Sequence, residues 1–199
     1  MHAPSRAVAE TGTESFDRAG YEDELRRIVQ EQLSAREVVV FDHTVRLDDS
    51  TSERRPARDV HADYSEDGAR QRLVDLLGPE RARSWSEGHF AFVNLWRPLF
   101  EPVNSTPLGF VRPRSVATKD WVVLDLVYPD RVGQIMGLVH NPAHEWVYFS
   151  KMTPDEIVLF NIFDSEGRAS IAHSALDLVE DPDIKRPRKS IESRTVVRF

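Results

Sequence analysis

The chain has 199 residues, of which 40% are hydrophobic, so it can bury one ordinary core. Its formal charge of −7 argues against nucleic acid as the main partner. The absence of cysteine excludes disulfides, a thiolate nucleophile and thiolate-bound metals, so any metal must be held by histidine and carboxylate side chains.

Residues 1–16 are polar and show no apolar period, which predicts a disordered leader ahead of one domain at residues 17–199. The leader lacks the apolar segment of a signal peptide, and no later run approaches the ~18 apolar residues of a membrane span. We therefore expect a cytoplasmic protein that does not enter a membrane.

Helical spacing and strand composition predict the first elements. Apolar residues within 21–33 recur on one helical face and indicate an amphipathic helix, whereas residues 37–46 are rich in β-branched side chains and indicate a strand. A second helix is expected over residues 69–77, ended by the Gly78-Pro79 pair.

From residue 89 onward, short apolar runs alternate with Pro, Gly, Asp and Asn. This pattern is typical of strands in a sandwich or jelly roll. The predicted fold class is therefore mainly β with flanking helices (α+β), arranged as a cupin-like double-stranded β-helix.

His61-Ala62-Asp63 is the strongest local motif. In an extended strand, residues i and i+2 face the same side, so the imidazole of His61 and the carboxylate of Asp63 can bind one ion. Two histidines and one carboxylate leave three coordination positions open, the arrangement that lets Fe(II) bind a bidentate co-substrate and O2.

His173 is the preferred third metal ligand, and His144 is the alternative. His173 lies on a predicted strand and is followed by the Arg188-Lys189-Ser190 segment, whereas His144 follows Pro142 in a stretch typical of a turn. The order of HxD, distal histidine and RxS resembles the double-stranded β-helix of the 2-oxoglutarate oxygenases. In such a protein Arg188 offers a planar fork for the distal carboxylate of 2-oxoglutarate, and Ser190 a second donor.

Longer segments carry a closer resemblance. They are VVVFDHTVR (38–46), VHADYS (60–65), VNLWRPL (93–99), PLGFVRPRSV (107–116), NPAHEWVYFSKMTPDEIVLFNIFDS (141–165), AHSAL (172–176) and RPRKSIESRTVV (186–197). Together they resemble the CmcJ/AsaB-like hydroxylase/desaturase family, which contains the cephamycin 7α-methoxylation small subunit and fungal gibberellin desaturase. The resemblance implies a hydroxylase or desaturase that acts on a small, specialised-metabolite substrate with Fe(II), 2-oxoglutarate and O2.

The resemblance begins near residue 16, where family members usually carry several tens of further residues. The substrate class, and whether the chain has the full activity, therefore stay open at this point. Two alternatives remain beside the oxygenase: a cupin-like metal enzyme that does not use 2-oxoglutarate, and a non-catalytic accessory subunit of a methyltransferase. A homodimer or a biosynthetic partner enzyme is considered among the partners.

Several further residues are candidates for binding. Arg97 precedes Pro98 at a strand end and could face the barrel interior to bind a substrate or co-substrate carboxylate, with Trp96 on the opposite face. Trp146 and Tyr148 share one side of an extended segment, which makes Trp146 a candidate for substrate binding, although core packing is its simpler role. Tyr148 is a candidate to hydrogen-bond the co-substrate carboxylate.

Other polar residues are interpreted as structural. The isolated histidines are His43, His89 and His140, and the strand carboxylates Asp125 and Asp164 are expected to pair with an arginine, for which Arg112, Arg114 and Arg194 are candidates.

Overall fold

The structure of the protein is a computed structural model that describes residues 1–9, 17–127, 132–183 and 186–199. The helices of these residues are α1 (Arg6–Ala9), α2 (Arg18–Leu33), α3 (Glu66–Leu77) and α4 (Pro79–Ser86). The predicted helices correspond to α2 and α3, while α4 was not predicted. Among the described residues, no helix is both long enough and apolar enough to cross a membrane.

The strands form two antiparallel sheets. Their bounds are β1 (Glu37–Leu47), β2 (His61–Ala62), β3 (Phe90–Pro98), β4 (Leu108–Val111), β5 (Trp121–Val127), β6 (Val132–Leu138), β7 (Trp146–Tyr148), β8 (Val158–Asp164), β9 (His173–Ala175) and β10 (Lys189–Arg198). One sheet has the order β1-β10-β3-β8 and the other β5-β6-β2-β9-β4-β7. This arrangement confirms the predicted mainly β fold of the jelly-roll type.

The four-stranded sheet is covered on both faces. Its outer face packs against α2 through an apolar cluster that includes Leu25, Val29 and Leu95. Its inner face packs against the six-stranded sheet and α3 through a second cluster that includes Phe92 and Phe160. Successive residues of β3 and β10 therefore alternate between the helix and the space between the sheets.

Capping side chains fix where two helices begin. The Asp17 carboxylate accepts a hydrogen bond from the Gly20 amide at the start of α2, and Ser65 accepts one from Gly68 at the start of α3, each at 3.0 Å. Ser65 also donates to the Gln134 side chain of β6 at 2.8 Å. Because Ser65 lies two residues after Asp63, this cap holds the HxD segment against the six-stranded sheet.

The first residues are packed, which differs from the predicted leader. Ala3 donates a backbone hydrogen bond to Asp155 at 2.7 Å, and Val8 is buried in the cluster beneath α2. The sequence shows no apolar period here because, among the side chains that the structure describes in this short helix, Val8 alone is both apolar and buried. Residues 10–16, the remainder of the predicted leader, lie outside the described residues.

The packing of α2 gives a test of this architecture. Leu25 has no exposed surface, so Leu25→Ala should lower the free energy of unfolding by about 3 kcal/mol, through lost apolar burial and a cavity. Urea denaturation followed by circular dichroism measures this loss. The control is Arg27→Ala, a side chain 66% exposed on the same helix, which should change stability by less than about 0.5 kcal/mol. Equal losses in both variants would show that α2 does not pack as described.

Candidate metal centre

Two neighbouring strands and the residue that follows one of them bring together His61, Asp63 and His173. The two histidines are direct partners across β2 and β9, so their side chains leave the sheet on the same face. Nε2 of His61 lies 3.3 Å from Oδ1 of Asp63, and Nε2 of His173 lies 3.7 Å from the same oxygen. One donor atom from each residue lies within 4.8 Å of the other two, the spacing of a metal-binding group.

Backbone carbonyls determine which nitrogen of each histidine is free. Nδ1 of His61 lies 2.7 Å from the carbonyl oxygen of Asp59, and Nδ1 of His173 lies 3.1 Å from that of Ile171. Because a carbonyl oxygen only accepts, both Nδ1 atoms carry the proton and donate it. Both Nε2 lone pairs are thereby directed at Asp63, as in metal-ligating histidines.

The carboxylate of Asp63 is held by its other oxygen. Oδ2 accepts hydrogen bonds from Nε of Arg194 at 2.9 Å and from Nδ2 of Asn94 at 3.0 Å. Asn94 is fully buried and Asp63 is 8% exposed. Oδ1 is therefore the oxygen left to bind a metal, and its direction is fixed by two donors on the opposite sheet.

Arg194 connects the centre to two further carboxylates. Its Nη1 donates to Asp42 at 2.6 Å, and its Nη2 lies 2.6 Å from Glu192 in an ion pair without hydrogen-bond geometry. Burial opposes deprotonation of Asp63, but the Arg194 guanidinium is the main charge that holds the pKa of Asp63 well below its usual range. Burial lowers the pKa of His173, whereas at His61 the effect of burial is outweighed by the Asp63 carboxylate, which raises the pKa. An ionised carboxylate beside a neutral imidazole is the protonation state that metal binding requires.

A small inner cavity adjoins the two histidines. It is lined by Arg46, Ala57, His61, Trp96, Leu108, His173, Ser174, Ala175, Arg188 and Glu192, and its volume is about 20 Å³. That is room for about one water molecule. An organic co-substrate would enter only if some of these side chains moved.

Two buried donors near this cavity lack partners. Nε of Arg188 and the hydroxyl of Ser190 form no hydrogen bond with the described residues. Nη1 of Arg188 donates to the carbonyl of Thr106 at 2.6 Å, and its guanidinium lies 5.5 Å from the ring centre of Trp96. Burial lowers the pKa of Arg188 to about 10, so it stays charged at neutral pH. Buried unpaired donors are costly, and a carboxylate is an acceptor that suits either of them.

A larger pocket, the outer pocket, also borders the centre. It has a volume of about 430 Å³ and is bordered by His61, Asp63 and Arg194 together with residues of β1, α3, β5 and β6. The three residues together therefore border both a small inner cavity and a pocket large enough for an organic molecule.

Three predicted binding residues lie elsewhere. Arg97 was expected to face the interior, but its guanidinium lies 5.4 Å from the Tyr21 ring beneath α2, and Trp96 faces the inner cavity instead. Trp146 and Tyr148 lie at the edge of the six-stranded sheet, 39% and 40% exposed. Val147 pairs with Phe110, which pairs with His173, so by alternation the side chains of Trp146 and Tyr148 leave the opposite face.

Most of the residues interpreted as structural form contacts with other side chains away from the metal centre. The alternative metal ligand His144 is buried against Asp120 at 3.2 Å and does not join the centre. His89 pairs with Asp164, His43 contacts Ser193, and Asp125 accepts from Gln134, while His140 is exposed. The suggested arginine partners were wrong, because Arg112 and Arg114 pair with Glu145, and Arg194 pairs with Asp63.

Sequence reasoning missed the residues that hold Asp63. Asn94 is a polar side chain within a strand whose residues are all buried, and buried amides are retained where they form hydrogen bonds. Glu192 and Arg194 continue the alternation of Ser190 along β10. Two sequence signals could have indicated these residues. Asn94 is a polar residue within an apolar strand, and Glu192 and Arg194 are charged residues two positions apart.

The two sheets and the His-Asp-His donor set are those of the jelly-roll class of non-haem iron oxygenases. Solved structures agree: a variant of the iron and alpha-ketoglutarate-dependent endoperoxidase NvfI superposes with a TM-score of 0.84 at 27% identity, over 92% of this chain and 69% of NvfI. Residues 7–198 match the family described as oxidoreductase/YMDC permease-like domain, and the chain belongs to this family.

Relatives include two fungal hydroxylase/desaturases, as the resemblance predicted. EfuI from Hormonema carpetanum is 30% identical over 89% of this chain, and CTB9 from Cercospora beticola is 36% identical over 74%. The chain spans 69% of the length of the first and 48% of the second.

The hydrogen bond from Asn94 gives a test of the centre. Asn94→Ala removes one of the two donors that orient Asp63, and it should weaken Fe(II) binding by about 10- to 100-fold, as loss of an outer-shell partner does. Anaerobic titration with Fe(II) measures the affinity. Asn161→Ala is the matched control, because Asn161 donates only to backbone carbonyls in the loop that follows β8. Unchanged affinity in the Asn94 variant would remove Asn94 from this role.

Proposed function

We propose that this chain is an Fe(II)- and 2-oxoglutarate-dependent oxygenase that hydroxylates or desaturates a small molecule, with His61, Asp63 and His173 as the iron ligands. One observation carries the proposal: in each of the three residues, one polar atom is held by a protein partner and another is left free toward a common point. An ordinary buried ion-pair cluster has no need to free three donor atoms in this way.

The donor set suits the chemistry of this class. Three protein ligands on one side of an octahedral Fe(II) leave three positions for a bidentate co-substrate and O2. When bound, iron and 2-oxoglutarate supply the oxidising power for attack on a C–H bond, with 2-oxoglutarate converted to succinate and CO2. The protein contributes a carboxylate ligand that is already negative, because the ion pair with Arg194 keeps Asp63 ionised.

Arg188 and Ser190 are proposed to bind the distal carboxylate of 2-oxoglutarate. Both lie on the inner side of the four-stranded sheet, and each has an unpaired donor. Trp96 holds the guanidinium of Arg188 in place through its ring face. Since the inner cavity is small in this structure, 2-oxoglutarate binding would displace neighbouring side chains, for which Arg46 and Glu192 are the polar candidates.

The outer pocket is the proposed substrate site. It borders His61 and Asp63, so a substrate there would lie next to the iron. The position of its C–H bonds relative to the iron would decide between hydroxylation and desaturation. The homodimer, the biosynthetic partner enzyme and the cytoplasmic location stay predictions.

The co-substrate assignment has a direct test. Arg188→Ala removes a charge-assisted contact, so it should weaken 2-oxoglutarate binding by about 10- to 100-fold while leaving Fe(II) binding unchanged. The measurement is anaerobic titration of the Fe(II)-loaded chain with 2-oxoglutarate, followed by the visible charge-transfer band of the chelate. Asp63→Ala should abolish both Fe(II) binding and the band.

Arg186→Ala is the matched control, since Arg186 is exposed and pairs with Glu101 on the surface. It should leave the titration unchanged. Normal 2-oxoglutarate affinity in the Arg188 variant would contradict the assignment. Absence of the band in the unmodified chain, with Fe(II) bound, would favour the cupin-like enzyme that does not use 2-oxoglutarate.

A further inference from the structure

The outer pocket carries more positive than negative charge. Its charged residues are Asp42, Arg46, Arg54, Asp63, Arg72 and Arg194. Both carboxylates are already bound to Arg194, at 2.6 and 2.9 Å. Within the part of the chain that the structure describes, no ion pair joins a carboxylate to any of the other three arginines. The wall of the proposed substrate site thus has three guanidinium groups without a carboxylate partner, and four positive side chains against two negative ones.

Other contacts hold the side chains of Arg46 and Arg72, and the backbone places the exposed Arg54 at the pocket. Nη1 of Arg46 donates to the backbone carbonyl of Arg55 at 2.9 Å, and the amide of Leu47 donates to the carbonyl of Arg54 at 3.1 Å. These bonds fold the loop after β1 back along the strand, which brings Arg54 to the pocket. The guanidinium of Arg72, on α3, lies 5.2 Å from the ring centre of Phe41, a cation–π distance. The contact with Phe41 orders the Arg72 side chain before an anion binds, which lowers the entropy cost of binding.

Strands β5 and β6 line another part of the pocket. They contribute Leu126, Gly133 and Ile135, together with the polar Gln134. Apolar side chains there can cover a carbon skeleton but offer no charge. The pocket is therefore lined by cations from β1, the loop after it, α3 and β10, and by apolar side chains from β5 and β6.

We propose that the substrate is a small organic acid, whose carboxylate is bound by Arg54 and Arg72 and whose carbon skeleton lies against Leu126 and Ile135. This inference rests on the proposed function, because it assigns the substrate class of the same centre. Guanidinium forks match a carboxylate in geometry and charge. Arg46 borders both the outer pocket and the inner cavity, so it adds charge between the two and is not used to test the proposal.

The test compares acids with their amides. Anaerobic calorimetry on the chain with Fe(II) and saturating 2-oxoglutarate, which fills the inner site, measures the binding of three matched pairs: hexanoate and hexanamide, 3-phenylpropanoate and 3-phenylpropanamide, and indole-3-propanoate and its amide. At least one acid should bind about tenfold or more tightly than its amide, as expected for a charge-assisted contact.

Variants separate this site from general surface charge. Arg54→Gln combined with Arg72→Gln should remove the preference for the acid, whereas Arg70→Gln should keep it. Arg70 is the matched control, because it lies on α3 but pairs with Glu66 on the surface at 3.0 Å. The proposal is overturned if no acid binds better than its amide, or if the preference survives in the double variant.

The charge-transfer band of the Fe(II) and 2-oxoglutarate chelate is recorded in the same samples. It should form in the unmodified chain and in both arginine variants, since neither Arg54 nor Arg72 lines the inner cavity. A band without acid preference refutes the substrate class alone. Acid preference without a band refutes the oxygenase function alone.

Discussion

Arg194 lies among three carboxylates, and its Nε donates to Asp63 at 2.9 Å where the Asp63 carboxylate is 8% exposed. Burying that carboxylate costs several kcal/mol of desolvation, which a partner with good geometry must offset. Arg194 and Asn94 offset this cost by donating to the carboxylate, and both belong to the four-stranded sheet. Asp63 follows a strand of the six-stranded sheet, yet the four-stranded sheet orients its carboxylate.

The sheet register converts this contact into a three-residue centre. Pairing of His61 with His173 directs both imidazoles toward the same space, and carbonyls of the two strand segments select the proton position on each ring. The cap at Ser65 and its bond to Gln134 hold the chain immediately after Asp63. The centre therefore depends on the packing of the two sheets against one another.

The metal ligands could be predicted from the sequence, but for some strands the face that points to the interior could not. The HxD spacing, the distal His173 and the alternation of Arg188 and Ser190 were readable, because period two is a local property. Whether odd or even residues of a strand face the interior depends on its partners, which is why Arg97 and Trp96 exchanged places and Tyr148 lies on the outer face. The four-residue strand β4 was too short to give a period, although it joins β9 to the edge of the sheet.

The central claim is that three specified atoms converge on one iron ion. Its most direct test is a crystal structure of the chain grown anaerobically with Fe(II), with anomalous diffraction recorded at the iron edge. The account predicts one strong peak bound by Nε2 of His61, Nε2 of His173 and Oδ1 of Asp63, with Oδ2 still on Arg194 and Asn94. A peak at another cluster, such as His144 with Asp120, or a His173 ring turned away from the ion, would contradict it.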